Sequence, residues 1–190
     1  ALTLDRSAVA GNAATDTSGF GGGGILNNGM GSVTLTATTV TGNASAGYGG
    51  GGINNSASGT VTLTIFSISG NLTTGSEGGG GIYDNGNAGA VVLDFVTLAG
   101  NGATTGGRSL HVDNVRGGVG VFSLRNTIVA NPSSGSNCSG SLASLGNNLA
   151  SDASCGLAGP LDHENVDPLL DDLADNGGPT ATRALIPGSV

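Results

Sequence analysis

Apolar and polar residues alternate with period two in short stretches along the chain: Leu2-Thr3-Leu4, Val33-Thr34-Leu35 and Val61-Thr62-Leu63. At Val91-Val92-Leu93 the apolar positions persist while the middle residue becomes Val. Alternation with this period predicts a β-strand with one buried face. The threonines between the aliphatic residues favour the same state, because a branched Cβ fits the pleated surface. No stretch carries a helical stripe of useful length.

The alternation recurs at a nearly fixed interval. Copies begin at Leu2, Val33, Val61 and Val91, with a shorter echo at Val121. Asparagines closing the first half of each copy fall at Asn12, Asn43, Asn71, Asn101 and Asn131, spaced by 31, 28, 30 and 30 residues. The aliphatic residue after each glycine run falls at Ile25, Ile53, Ile82 and Leu110, spaced by 28, 29 and 28. Such a period marks a stacked repeat. A propeller blade needs about 40 residues or more, and a leucine-rich repeat would show LxxLxL. The prediction is an all-β parallel β-helix with about 29 residues per coil and three short strands in each. Those strands are placed at VTLT, at the TVTGN-like piece and at GGGGI with its neighbours. Equivalent positions then stack about 4.8 Å apart. Val33, Val61 and Val91 form one internal column, Leu4, Leu35, Leu63 and Leu93 a second, and Val9, Val40, Ile68 and Leu98 a third. The five asparagines form a hydrogen-bonded ladder at a bend. Residues 1–131 hold the regular coils. Residues 132–190 form irregular coils and a cap-like segment of the same domain.

Composition changes this picture little. Of 190 residues 38 are Gly, none is Lys or Trp, and the net charge is −8. High glycine would suggest disorder, but the repeat and the aliphatic columns overrule it. The five arginines do not cluster, so nucleic acid has no electrostatic footprint. No apolar run is long enough to be a membrane helix. The runs Gly21–Gly24, Gly49–Gly52 and Gly78–Gly81 are not phosphate cradles, because no Lys follows and they recur with the coils. They mark positions that demand small side chains or a close backbone approach. Polar turns follow at Asn27-Asn28-Gly29, Asn54-Asn55, Asp84-Asn85-Gly86 and Asp113-Asn114. They read as left-handed turn residues. Calcium is the alternative for these turns and for the acidic stretch Asp162, Glu164, Asp167, Asp171, Asp172 and Asp175. Arg6 takes the slot of Ala37, Ile65 and Phe95, which predicts an imperfectly buried first coil.

The GGGGI runs alternating with a strand ending in Gly-Asn resemble the repeats of bacterial polymorphic outer-membrane proteins. The C-terminal part is more specific. Asn126-Thr127-Ile128-Val129-Ala130-Asn131, Asn137-Cys138-Ser139-Gly140, Gly146-Asn147-Asn148-Leu149 and Ser154-Cys155-Gly156-Leu157 occur in that order. They precede Asn165-Val166-Asp167-Pro168-Leu169-Leu170, Leu173-Ala174-Asp175-Asn176-Gly177-Gly178-Pro179-Thr180 and Ala184-Leu185-Ile186-Pro187-Gly188-Ser189. This arrangement is similar to the bacterial secreted proteins called choice-of-anchor Q or CSLREA-type. The resemblance covers nearly the whole chain. It implies a right-handed β-helix, an extracellular or surface location and no established catalytic residues. In that setting Cys138 and Cys155 are expected to form a disulfide. Closing the loop between them stabilises by on the order of 3 kcal/mol.

The function expected is a non-catalytic structural or adhesive role, without a required cofactor. Polysaccharide binding or degradation is the alternative. Glycoside hydrolysis needs two carboxylates at a set separation, whereas Asp5 and Asp94 share a coil position with Thr36 and Thr64 between them. Ice binding is a lesser alternative, resting on Thr34-x-Thr36 and Thr62-x-Thr64. Self-association is the expected partnership. The first coil starts on Leu2-Thr3-Leu4 with no cap, which predicts head-to-tail docking. A side-chain-free strip at Gly21, Gly49 and Gly78 is expected to let neighbouring solenoids pack closely.

Overall fold

A computed structural model describes residues 1–56, 58–85, 89–104, 110–112, 121–140 and 142–189. The chain is an all-β solenoid of parallel stacked sheets, with four turns that contribute to every sheet. The first turn holds β1 (Leu2–Asp5), β2 (Ala8–Ala10), β3 (Ala13–Ala14) and β4 (Ile25–Asn27). The second holds β5 (Ser32–Thr36), β6 (Thr39–Thr41), β7 (Ala44–Ser45) and β8 (Ile53–Asn55). In the third, β9 (Thr60–Ser69) runs unbroken over the span of two strands and is followed by β10 (Leu72–Thr73) and β11 (Ile82–Asp84). The fourth repeats this as β12 (Ala90–Ala99), β13 (Gly102–Ala103) and β14 (Leu110–Val112).

One long sheet runs from β1 through β5, β9 and β12. It continues through β15 (Val121–Arg125), β16 (Ile128–Ala130), β17 (Leu142–Ser144), β18 (Leu149–Ala150) and β19 (His163–Glu164). Two four-stranded sheets, β3-β7-β10-β13 and β4-β8-β11-β14, close the turn. A separate antiparallel hairpin of β20 (Leu170–Ala174) and β21 (Thr182–Leu185) ends the chain.

The aliphatic columns follow the expected register. Leu4 pairs with Leu35, Leu35 with Leu63, Leu63 with Leu93, and Leu93 with Leu124. Val33, Val61 and Val91 stack, and the column continues through Phe122 to Leu142. Val9, Val40, Ile68, Leu98 and Val129 form the third column, and Ile25, Ile53 and Ile82 a fourth. Leu35, Leu63 and Leu93 are buried, and Thr34, between buried Val33 and Leu35, is exposed. That alternation follows from the pleat.

Three expectations change. The strand expected at GGGGI with its neighbours is confined to the isoleucine and the residues after it, Ile53–Asn55 in the second turn, and leaves out the glycines. A short strand missed in the sequence follows each ladder asparagine, as at Ala44–Ser45. The slot shared by Arg6, Ala37, Ile65 and Phe95 is not a core position. All four residues have positive φ, as does Asn126 in the next rung, and Ile65 and Phe95 are largely exposed. The slot is an outward bend of the long sheet, between strands in the first two turns and within β9 and β12 in the next two. Arg6 there is not the cause, but the first turn is incompletely buried as expected, with Leu2 exposed and Leu4 and Val9 half-buried. Bulky and β-branched residues are rare in this conformation. The amide of Ala37 bonds the Thr64 carbonyl of the next rung at 3.0 Å, which holds the bend.

Candidate functional site

The glycine runs lie inside the molecule. Gly21, Gly49 and Gly78 are buried, which removes them as a surface on which neighbouring solenoids could pack. A Cβ on Gly51 would stand 2.5 Å from the Leu72 carbonyl carbon and 2.6 Å from Gly80 O. A Cβ on Gly52 would stand 2.6 Å from Gly81 O. Real side chains do not come so close, so in this part of the turn backbone packs directly on backbone. At the edge of the runs the Phe20 and Tyr48 rings lie 6.2 Å apart, centroid to centroid. Gly106 and Gly107, which stand before Leu110 where the other copies carry their glycine runs, and Arg108, Asp113, Asn114 and Arg116 fall outside the described residues.

The asparagine ladder runs through Asn12, Asn43, Asn71 and Asn101. The Asn43 side-chain amide donates to Asn71 Oδ1 at 2.9 Å and to Val9 O at 2.9 Å, and the Asn43 backbone N–H donates to the same Asn71 Oδ1. Asn71 repeats this toward Asn101 and Val40. Asn131 is not a member. Pairing of Leu98 with Val129 and Ala99 with Ala130 sets Asn131 opposite Gly100. It has positive φ like Gly11, Gly42, Gly70 and Gly100, and its N–H donates to Ser151 Oγ at 3.0 Å. Asparagine tolerates the left-handed bend, which is why it replaces glycine there. A second buried ladder was hidden in the polar turns: Asn27 donates to Asn55 Oδ1 at 2.8 Å, and Asn55 to Asp84 Oδ1 at 3.2 Å. The strand period would have found it, since Ile25, Ile53 and Ile82 point inward and so must the residues two positions later.

The outer face of the long sheet carries the exposed chemistry. Thr3, Thr34 and Thr62 form one column, continued by Val92 and Ser123. Asp5, Thr36, Thr64, Asp94 and Arg125 form the other. Arg125 donates to Asp94 at 2.5 Å, and Asn126 donates to it at 2.9 Å. The hydrogen bond from Arg125 draws the Asp94 carboxyl below its ordinary range, against a smaller opposing effect of burial. The partner guanidinium is held protonated in turn. Asp5 and Asp94 stand three rungs apart, roughly 14 Å at the spacing of paired strands. Inverting hydrolysis needs about 6.5–9.5 Å and retaining hydrolysis about 5–5.5 Å. Beside these columns a cleft of about 150 Å³ lies between the bend residues Ala37, Ile65 and Phe95 and the terminal hairpin at Pro179, Thr180 and Arg183.

Cys138 and Cys155 are joined in a disulfide with Cα atoms 4.8 Å apart. Asp152 organises this loop, accepting from the Asn137 and Ser154 N–H groups at 3.0 and 2.8 Å, while Ser154 Oγ accepts from the Cys138 N–H. Burial pushes the Asp152 carboxyl up, but the hydrogen bonds from Ser154 and Asn137 outweigh it and the net direction is down. Asp162 is balanced the same way, with burial opposed by Ser144, Asn148 and Gly159. Several acids of the stretch singled out for calcium bond their own backbone: Asp167 accepts from Leu169 N–H and Asp175 from Gly177 N–H. Among the described residues no group of three or more His, Cys, Asp or Glu is placed to hold a metal ion. Leu2, Thr3 and Leu4 lie in β1, which among the described residues pairs with β5 alone, and β2, β3 and β4 likewise pair there on one side. No described helix is long and apolar enough to cross a membrane.

No family model, no curated protein and no solved structure matches the chain.

Proposed function

We propose that the chain is a secreted, non-catalytic structural or adhesive rod of a bacterial cell surface or extracellular matrix. The observation that carries this reading is the outer face of the long sheet. It presents hydroxyls at rung spacing through Thr34, Thr62, Thr36 and Thr64, and of its two carboxylates Asp94 is bound to Arg125 while Asp5 stands three rungs away. A regular hydroxyl face suits an extended, repeating partner. A carboxylate held ionised by a guanidinium is a poor proton donor for hydrolysis. The disulfide supports an oxidising compartment. The resemblance to choice-of-anchor Q proteins supports the same location. Right-handed coiling is inferred from the general handedness of crossovers between parallel strands.

Self-association belongs to the proposal. Among the described residues β1 to β4 pair on one side, and a second copy adding its own strands on the other side is the contact proposed. A head-to-tail contact of that kind gives a filament unless it closes into a ring. Polysaccharide binding is favoured as a second reading by one observation: Ile65 and Phe95 are 60% and 58% exposed next to the threonine columns. Apolar side chains there would lie against the C–H face of a sugar ring.

The test incubates the purified protein with insoluble cellulose, chitin and peptidoglycan. Co-sedimentation, release of reducing ends and electron micrographs of the protein alone are recorded. The rod reading expects filaments or higher oligomers and no reducing ends above the blank. Reducing ends that accumulate with time would overturn it in favour of an enzyme. Saturable co-sedimentation lost in Phe95→Ala would establish the second reading. A monodisperse monomer at every concentration would remove self-association.

A further inference from the structure

Coils of a solenoid touch only their neighbours, so each opens with little regard for coils further away. The terminal hairpin departs from that rule. It belongs to none of the three stacked sheets and lies against the flank of the long sheet. At its tip, Thr180 Oγ1 donates to Ala37 O at 3.4 Å and Ala181 O accepts from Thr39 Oγ1 at 2.9 Å, both in the second turn. Two residues beyond Ala181, Arg183 Nε donates to Ser69 Oγ at 3.0 Å in the third turn. A Cβ on Gly100, in the fourth turn, would stand 3.4 Å from the Arg183 guanidinium. The other arm of the guanidinium donates to Asp171 O at 3.0 Å, tying β21 to β20. Its side chain keeps only 19% of its exposure, unlike Arg6 at 74%. The hairpin's root is fixed near the far end, where Val166 N–H donates to Ala150 O.

We propose that this hairpin is an axial brace. It couples the second, third and fourth turns through one side chain and one tip, and makes them open together instead of fraying one by one. The inference stands independently of the rod function, since it concerns how the turns are held and not what they bind. Arg183 is the central element because it hydrogen-bonds the third turn, lies beside Gly100 of the fourth and ties the partner strand of its own hairpin. Thr39, buried in the second turn, supplies the contact that anchors the tip.

The test is native-state hydrogen exchange of the full chain, read at the amides of Val40, Ile68 and Leu98. These occupy one column in successive turns. In the parent protein the three exchange through a common opening, with protection factors within about threefold of one another. In Arg183→Ala they separate by tenfold or more, with Val40 fastest. Thr180→Ala is a milder change at the tip that leaves the fold intact, and spreads them in the same order by a smaller factor. Protection lost equally at all three amides, or unchanged at all three in both variants, would overturn the brace.

Discussion

The two halves of each turn are held by different physics. In the half built on the long sheet, Leu35, Leu63 and Leu93 with Val33, Val61 and Val91 fill the interior, and each buried side chain contributes roughly 1.5–3 kcal/mol. In the other half, Gly51 and Gly52 face the Leu72 backbone and the glycines of the next rung with no room for a Cβ. Here the contribution is close backbone approach and rung-to-rung hydrogen bonding, such as Gly52 N–H to Gly80 O at 3.0 Å. The asparagine ladder stands at the junction, with Asn71 fully engaged between Asn43, Asn101 and Val40. The aliphatic columns tolerate any aliphatic residue of suitable volume, while the glycine positions of the other half tolerate no side chain, although Ile53 and Ile82 are buried beside them. A repeat so poor in large apolar residues stays folded because the second half shrinks the interior it must fill.

The largest effect is expected in the aliphatic half. Leu63→Asp places an unpaired carboxylate in the column and should abolish the folded state, read as loss of a cooperative thermal transition. A normal transition would mean that the wrong face has been assigned to the interior. At the junction, Asn71→Ala removes the acceptor for two Asn43 donors and the donor to Val40 O. Buried groups left unpaired should cost about 3 kcal/mol, measured by urea unfolding. Acid sharpens the contrast between the turns and the disulfide-bearing end. Asp152 and Asp162 have native values below the ordinary carboxyl range. Their stabilisation is therefore complete above about pH 4 and is lost as pH falls through those lowered values. The amide resonances of Asn137 and Asn148 should move below about pH 4 before those of Val61 and Leu63. The smallest effect is on the outer face: Thr62→Ser should change stability by less than about 0.5 kcal/mol.

Much of this was legible in the sequence, for identifiable reasons. The columns could be read because a period of two and a coil repeat together fix both the face and the register, as Leu4 through Leu93 show. The disulfide followed from a setting implied by resemblance. The ladder was legible through Asn101 and failed at Asn131. The last regular coil lacks the glycine that precedes each earlier asparagine, and asparagine also serves at left-handed bends. The bend at Ala37, Ile65 and Phe95 was not legible, since bulky residues at positive φ contradict local preference and are held there by inter-rung hydrogen bonds. The terminal hairpin's placement rests on Thr180 and Arg183 reaching residues more than a hundred positions away, and no local pattern encodes that.

The most direct test of the two-part interior is the addition of a single methyl group. Gly51→Ala and Gly42→Ala are compared by urea unfolding of otherwise identical chains. Gly42 has φ of 62° with nothing within 4 Å of an added Cβ, so only the left-handed backbone is penalised, by about 1 kcal/mol. Gly51 has no such φ but meets the backbone of Leu72 and Gly80. The account predicts that Gly51→Ala loses on the order of 3 kcal/mol or fails to fold, well beyond Gly42→Ala. A Gly51→Ala midpoint equal to the parent's, or a loss no greater than that of Gly42→Ala, would contradict it.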